Sequence, residues 1–155
     1  MILASHIAHM ADSLPASWRG RAGEVVDYIE AEDKDGKVLG SGSRKDKEFL
    51  LLYHLVKETL LMTRDEDGKL AGVVTWHRVK KPWTIGQLER WRPDDEDGKD
   101  IILVHMLARD SDARRCLLSA MSRRIADAAE CSFHALRGDK VKTYAPRHIN
   151  RFFNN

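Results

Sequence analysis

The side chains with the most chemical potential crowd into one stretch, VHMLARDSDARRCLLSAMSRRI, from Val104 to Ile125. It reads as a strand that ends, turns and enters a helix. A helix N-terminus presents unpaired N–H groups and the positive end of a dipole, so it favours anions. Arg109, Arg114 and Arg115 add cationic groups around the turn, and Ser111 adds a hydroxyl. The same letters carry a second meaning. Asp110 or Ser111 is a good N-cap, and acidic residues favour a helix start. Asp110 and Asp112 also put negative charge where a phosphate would sit, at about 1 kcal/mol or more per close contact near a surface. The turn is either an anion site or a well-capped helix.

Other reactive groups are scattered. His105 lies in the strand before the turn, as a candidate base or as a core histidine satisfied by a neighbour. The run from Trp76 to Trp83 mixes His77, Arg78, Lys80 and Lys81 with aromatic rings. Such mixtures bind single-stranded nucleic acid through phosphate contacts and stacking, and they also make ordinary basic loops. The seven histidines show no HExxH or similar metal spacing. Cys116 and Cys131 have neither CxxC nor Cys/His ligand spacing, so neither zinc nor a disulfide framework is expected. Cys116 falls in an apolar helical run and reads as a small core residue.

The elements that must position these groups follow from periodicity. Ile2, His6, His9, Met10 and Leu14 share one helical face, ended by Pro15. GEVVDYIEAED forms a helix with Val25, Val26 and Ile29 inward. The glycine- and charge-rich segment 33–47 is a loop or mobile hairpin; its pair Gly40 and Gly42 is too little for a phosphate loop. In 48–58, Phe49, Leu52, Tyr53 and Val56 recur at helical spacing. Two β-type runs, 59–63 and 70–79, flank Asp67-Gly68, whose positive φ closes a hairpin. A short helix opens at Pro82, and an acidic loop follows it. The continuous apolar run of 100–107 is a central strand covered on both faces. The helix after it carries a stripe of Leu117, Leu118, Met121, Ile125 and Ala128. CSFHALRG is a further strand, and Pro146 opens a terminal helix or hook.

That order gives an α+β (α/β three-layer) domain with a mixed sheet and a central hairpin, flanked by helices. The 155 residues, 43% of them hydrophobic, make one domain over 1–155. Net charge is +2, yet residues 101–155 carry ten Lys/Arg against five Asp/Glu. This asymmetry points either to an anionic partner or to a solvated basic face. No apolar run reaches the roughly 18 residues of a membrane span. The N-terminus lacks a basic n-region and an unbroken apolar h-region, so the expected location is the cytoplasm.

The element order and several local strings resemble the GNAT acyltransferase superfamily. Arg109 matches the leading arginine of the family's turn, and Arg115, Leu117 and Leu118 fall where the family has arginine and a leucine pair. Asp110, Asp112 and Arg114 replace the turn's glycines. LLMTRDEDGKLAGVVTW and SFHALRGDKVKTY are also similar to strands of the toxin-activating lysine acyltransferases. In that family a histidine sits in an N-terminal Ser-Pro-x-His-x-x-Trp segment; DSLPASW has the proline and tryptophan but no histidine. The resemblance spans about residues 46–153. It implies transfer of an acyl group from a thioester, acetyl-coenzyme A or another, to an amine on a small molecule or a protein lysine. It places coenzyme contacts at Met106, Leu107, Arg109, Ser111, Ala113, Arg114, Arg115 and Asn150. It makes His105 a candidate base and Tyr144, after the last strand, a candidate general acid, with no metal. The alternative is a GNAT-shaped protein without catalysis whose basic C-terminal third binds nucleic acid or another macromolecule.

Overall fold

A computed structural model of the chain describes residues 16–34, 36, 38–39, 42–84, 94–137 and 140–144. The expected N-terminal helix over 2–14, most of the one opening at Pro82, and the terminal hook lie outside the described residues. The described elements run α1 (Ala16–Glu32), α2 (Arg44–Lys57), β1 (Leu60–Arg64), β2 (Leu70–Val79), β3 (Asp100–Ala108), α3 (Ser111–Arg124), a 3-10 turn (Ala128–Glu130), β4 (Ser132–Arg137) and β5 (Lys140–Tyr144). The five strands form one sheet in the order β1-β2-β3-β4-β5. Only β3 and β4 are parallel, with α3 as their crossover; the other pairs are antiparallel. This is an α+β fold with helices on both faces of a mixed sheet.

Side-chain alternation sorts the strands onto two cores. On one face Val74, Trp76, Ile101, Leu103, Phe133 and Ala135 pack under Leu117 and Met121 of α3. On the other, Leu60, Leu70 and Val73 meet Val25, Val26 and Ile29 of α1 and Leu51 and Leu52 of α2. Burying each such aliphatic side chain stabilises the fold by about 1.5–3 kcal/mol. Gly72 lets α3 close onto the hairpin: a Cβ there would lie 2.9 Å from Leu117 Cδ1 and 3.1 Å from Thr63 Cγ2.

The expected hairpin is present. Gly68 takes φ +80°, and Asp65 Oδ1 accepts the N–H groups of Asp67 and Lys69, both at 2.9 Å. Several features differ from expectation, and α1 starts at Ala16 rather than at Gly23. Residues 44–47, read as loop, are the first turn of α2, because Ser43 Oγ caps it by accepting the Asp46 N–H at 3.2 Å. The stripe read through Ala128 stops at Arg124; Ile125 leaves helical geometry at φ −93° and ψ 102°. Lys140–Tyr144 is a fifth strand, not foreseen, so Tyr144 ends that strand rather than following the last one. Cys116 is exposed and Cys131 is the buried cysteine, because Cys116 points away from the face that buries Ala113, Leu117 and Met121.

Candidate functional site

At the β3–α3 turn the capped-helix meaning of the sequence is what the side chains do. Asp110 takes an extended backbone, and its Oδ1 accepts the Ala113 N–H at 2.8 Å. That bond uses one of the N–H groups a phosphate would need. Arg109 Nη1 donates to Asp65 Oδ2 at 3.0 Å, and its Nε lies 3.9 Å from Asp110 Oδ2. The guanidinium therefore ties the hairpin turn to the start of α3. Arg109's hydrogen bond is the main reason the Asp65 carboxyl titrates below its usual range. The Tyr28 hydroxyl of α1 is buried nearby, without a hydrogen-bond partner among the described residues. Burial raises its pKa, with Glu32 next in weight and Asp110 adding to the rise against Arg109. Ala113 is buried, whereas Ser111, Arg114 and Arg115 are exposed on the first turn of α3.

Immediately before this turn the sheet opens. Along β2, Thr75 faces His105 while Trp76 faces Leu103, so Val104 is an extra residue on β3. Such a bulge bends a strand and interrupts its pairing. The β3–β4 ladder runs from Asp100↔Ser132 to Leu103↔Ala135 and ends there. Leu136 and Arg137 continue β4 paired with β5 alone. Among the described residues, Val104–Ala108 has no ladder partner on the β4 side. Arg109 N–H donates to Ala71 on β2 at 2.8 Å. Strand alternation then turns the N–H groups of Met106 and Ala108 away from β2, toward the opening. Val104 and Met106 are both partly exposed there.

The face of β3 toward α1 and α2 holds a feature that sequence spacing did not reveal. His105 is buried, with Nδ1 2.6 Å from Thr75 Oγ1, which also accepts the His105 N–H at 3.2 Å. His54 of α2 is fully buried, with Nδ1 2.8 Å from Thr59 Oγ1. Its Nε2 has no hydrogen-bond partner among the described residues. His77 completes the group: ring centroids are 5.0 Å apart for His54 and His77, and 5.9 Å for His54 and His105. At the outer end the Lys57 ammonium donates to Asp94 Oδ1 at 2.6 Å and to His77 Nδ1 at 2.9 Å. Burial pushes the His105 pKa down to about 4, with the His77 charge adding to it. Burial also holds His54 well below its ordinary value, and His77, His105 and Lys57 act in the same direction.

The sequence-derived residues thus fall into three places. Met106, Arg109, Ser111, Ala113, Arg114 and Arg115 line the opening and the helix start. His105 and Leu107 face α1 and α2, and His105 belongs to the buried histidine group. Tyr144 packs against the α3-side core, on the opposite face from His105, with Lys142 Nζ 5.2 Å from its ring centroid. The strand pairing does not bring Tyr144 and His105 together. Asn150 lies outside the described residues. Among the described residues no group of three or more His, Cys, Asp or Glu is arranged to hold a metal ion. No helix among them is long and apolar enough to cross a membrane. No protein-family model matches the chain, and no curated protein matches its sequence.

Proposed function

We propose that the chain is a GNAT-like acyltransferase that moves an acyl group from a thioester, acetyl-coenzyme A or a similar donor, to an amine, working in the cytoplasm. The observation that carries this is the parting of β3 from β4 at Val104. A strand edge freed between two parallel strands offers backbone groups to an extended amide-bearing arm. It also aims the Met106 and Ala108 N–H groups where an acyl carbonyl would develop negative charge. The arginines at 109, 114 and 115 stand at the mouth of that opening. The donor's phosphates would lie beside Arg114 and Arg115 rather than on the Ala113 N–H, which Asp110 occupies.

The test is a thermal-shift titration with coenzyme A and acetyl-coenzyme A. Ligand at about 100 times its Kd stabilises the fold by about 2.7 kcal/mol, so the melting temperature should climb with concentration. The double variant Asp110→Gly, Asp112→Gly should bind the coenzyme more tightly, because it removes two carboxylates and frees a helix N–H. No shift at millimolar ligand in either protein defeats the reading.

One observation favours the non-catalytic alternative. Arg114, Arg115, Arg123 and Arg124 are exposed on α3, and no ion pair to a carboxylate holds them among the described residues. On that reading α3 docks on nucleic acid through phosphate contacts. Oligonucleotide binding would then weaken steeply with salt; absent or salt-independent binding removes this alternative.

A further inference from the structure

On the sheet face away from α3, three neighbouring strands bring Asp100, His134 and Thr143 into one line. The registers Ile102↔His134 and His134↔Thr143 account for the alignment, with Asp100 two residues before Ile102 on the same face. His134 Nε2 lies 2.8 Å from Asp100 Oδ1, and His134 Nδ1 lies 2.9 Å from Thr143 Oγ1. Asp100 and His134 are buried at 4% and 6% exposure, while Thr143 is exposed on the edge strand.

Donor and acceptor chemistry fixes the tautomer. The Trp83 indole N–H donates to Asp100 Oδ2 at 3.2 Å. The Asp100 carboxylate accepts this bond and accepts the proton-bearing Nε2 of His134 through its other oxygen. Nδ1 is left with its lone pair, directed at the Thr143 hydroxyl. The Trp83 ring sits edge-on to the imidazole, at 5.2 Å between centroids, and restrains its orientation. A carboxylate that orients a histidine, and a histidine that accepts from a hydroxyl, is the arrangement that activates serine and threonine nucleophiles.

A lysine-lined cavity adjoins the Asp100 end of this line, and neither His134 nor Thr143 lines it. The cavity, of about 300 Å³, shares Asp100 with this group and is otherwise lined by Lys80, Lys81, Asp97, Lys99 and Ser132. Lys80 pairs with Asp97 at 2.5 Å, and Lys99 with Asp127 at 2.8 Å and Glu130 at 3.4 Å. Lys81 has no ion pair among the described residues.

We infer that Thr143 is the nucleophile of a second site, oriented by His134 and Asp100, that takes an activated acyl ester leaving as an anion. Thr143 Oγ1 bonds to the acyl carbon as its proton passes to His134 Nδ1, and the carbonyl electron pair moves onto oxygen. Collapse of that intermediate expels the leaving oxygen as an anion, and His134 Nδ1 gives its proton to solvent, which restores the base. Water then releases the acyl group from Thr143 by the same route. Asp100 stays ionised throughout, as a positioning residue for the imidazolium. This site rests on the register of β3, β4 and β5 and on the hydrogen bonds of His134, so it stands or falls separately from the opening between β3 and β4.

The probe is p-nitrophenyl acetate, read as nitrophenolate release and by peptide mapping of the acetylated chain. The expected result is an ester on Thr143, cleaved by hydroxylamine, with a burst that tracks protein concentration. Thr143→Ala and Thr143→Val, both at an exposed position, should keep the melting temperature and lose the burst. Thr143→Ser should restore it. Asp100→Asn should slow acylation by about 100-fold or more. Acetyl groups confined to lysine amides, a burst that survives Thr143→Ala, or a rate indifferent to Asp100→Asn would overturn the assignment.

Discussion

Mild acid should strip stability from this fold before its carboxylates begin to protonate. The perturbation is a change from about pH 7 to about pH 5, and the responsible groups are His54 and His105. In the unfolded chain each histidine gains a proton near pH 6.5. In the folded chain His105 does so only at about 4, and His54 also well below its ordinary value, because both are buried among His77, Tyr53, Thr59 and Thr75. Below about 6.5 the unfolded state therefore binds protons that the native state refuses, and stability falls with pH through that window. For His105 alone, the gap from 6.5 to about 4 is worth about 3 kcal/mol. By about pH 5 His105 accounts for about 2 kcal/mol of that loss, out of the roughly 5–15 kcal/mol a domain has, and His54 acts in the same direction. Carboxylates act later. Hydrogen bonds from Arg78 and then Lys99 hold Asp127 far below its usual range, and Arg109 does the same for Asp65 to a smaller degree. Their stabilisation is present at pH 5 and is lost only at lower pH. The assay is urea unfolding of the wild type and of His105→Asn at half-unit pH steps. The wild-type midpoint should fall steadily from about pH 6.5 to about pH 5, and the variant should show a visibly shallower slope. A flat wild-type midpoint across that window, or the same slope in both proteins, would refute the reasoning.

Two backbone positions give further tests. Glu58 ends α2 in left-handed geometry, at φ 60° and ψ 35°, where its amide bonds to the His54 and Leu55 carbonyls; Glu58→Gly should stabilise the fold by about 1 kcal/mol, read as a raised denaturant midpoint. A Cβ on Gly98 would sit 2.5 Å from the Val79 carbonyl oxygen; Gly98→Ala should cost about 2–3 kcal/mol, and an unchanged melting temperature would mean that this contact yields freely.

What could be read from the sequence was local. Asp67-Gly68 announced the hairpin because positive φ at that point has few other uses, and the unbroken apolar run of β3 announced a strand covered on both faces. That α3 is capped at Asp110 or Ser111 was legible for the same reason, and the structure selects Asp110, whose bond to the Ala113 N–H spans three residues. What depended on register was not legible. His54, His77 and His105 stand more than twenty residues apart, and they meet only because β2 and β3 pair with a bulge at Val104. A usable signal existed in Thr75 and His77, which alternate onto one strand face, but nothing in the chain named their partner. β5 escaped detection because Lys-Val-Lys-Thr-Tyr is a solvated edge with little apolar alternation. Asp100, His134 and Thr143 escaped with it, since without β5 there is no third strand to complete the line.

The bulge and the cap pull the proposed donor site in different directions. Val104 frees the β3 edge, which an extended arm can exploit through backbone hydrogen bonds. Asp110 closes part of the adjoining helix N-terminus with its own carboxylate and adds a negative charge at the mouth. Arg109 does not offset that charge freely, because its guanidinium is already held by Asp65. Recognition at this site would therefore fall on the arm and the acyl group rather than on the phosphates. Arg114 and Arg115, exposed and outside any ion pair among the described residues, are the cations left to meet an anionic donor. On the proposed reading, a donor whose phosphates are weakly held would gain its affinity along the strand edge, and the residues beside the bulge, Val104, Met106 and Ala108, would set its specificity.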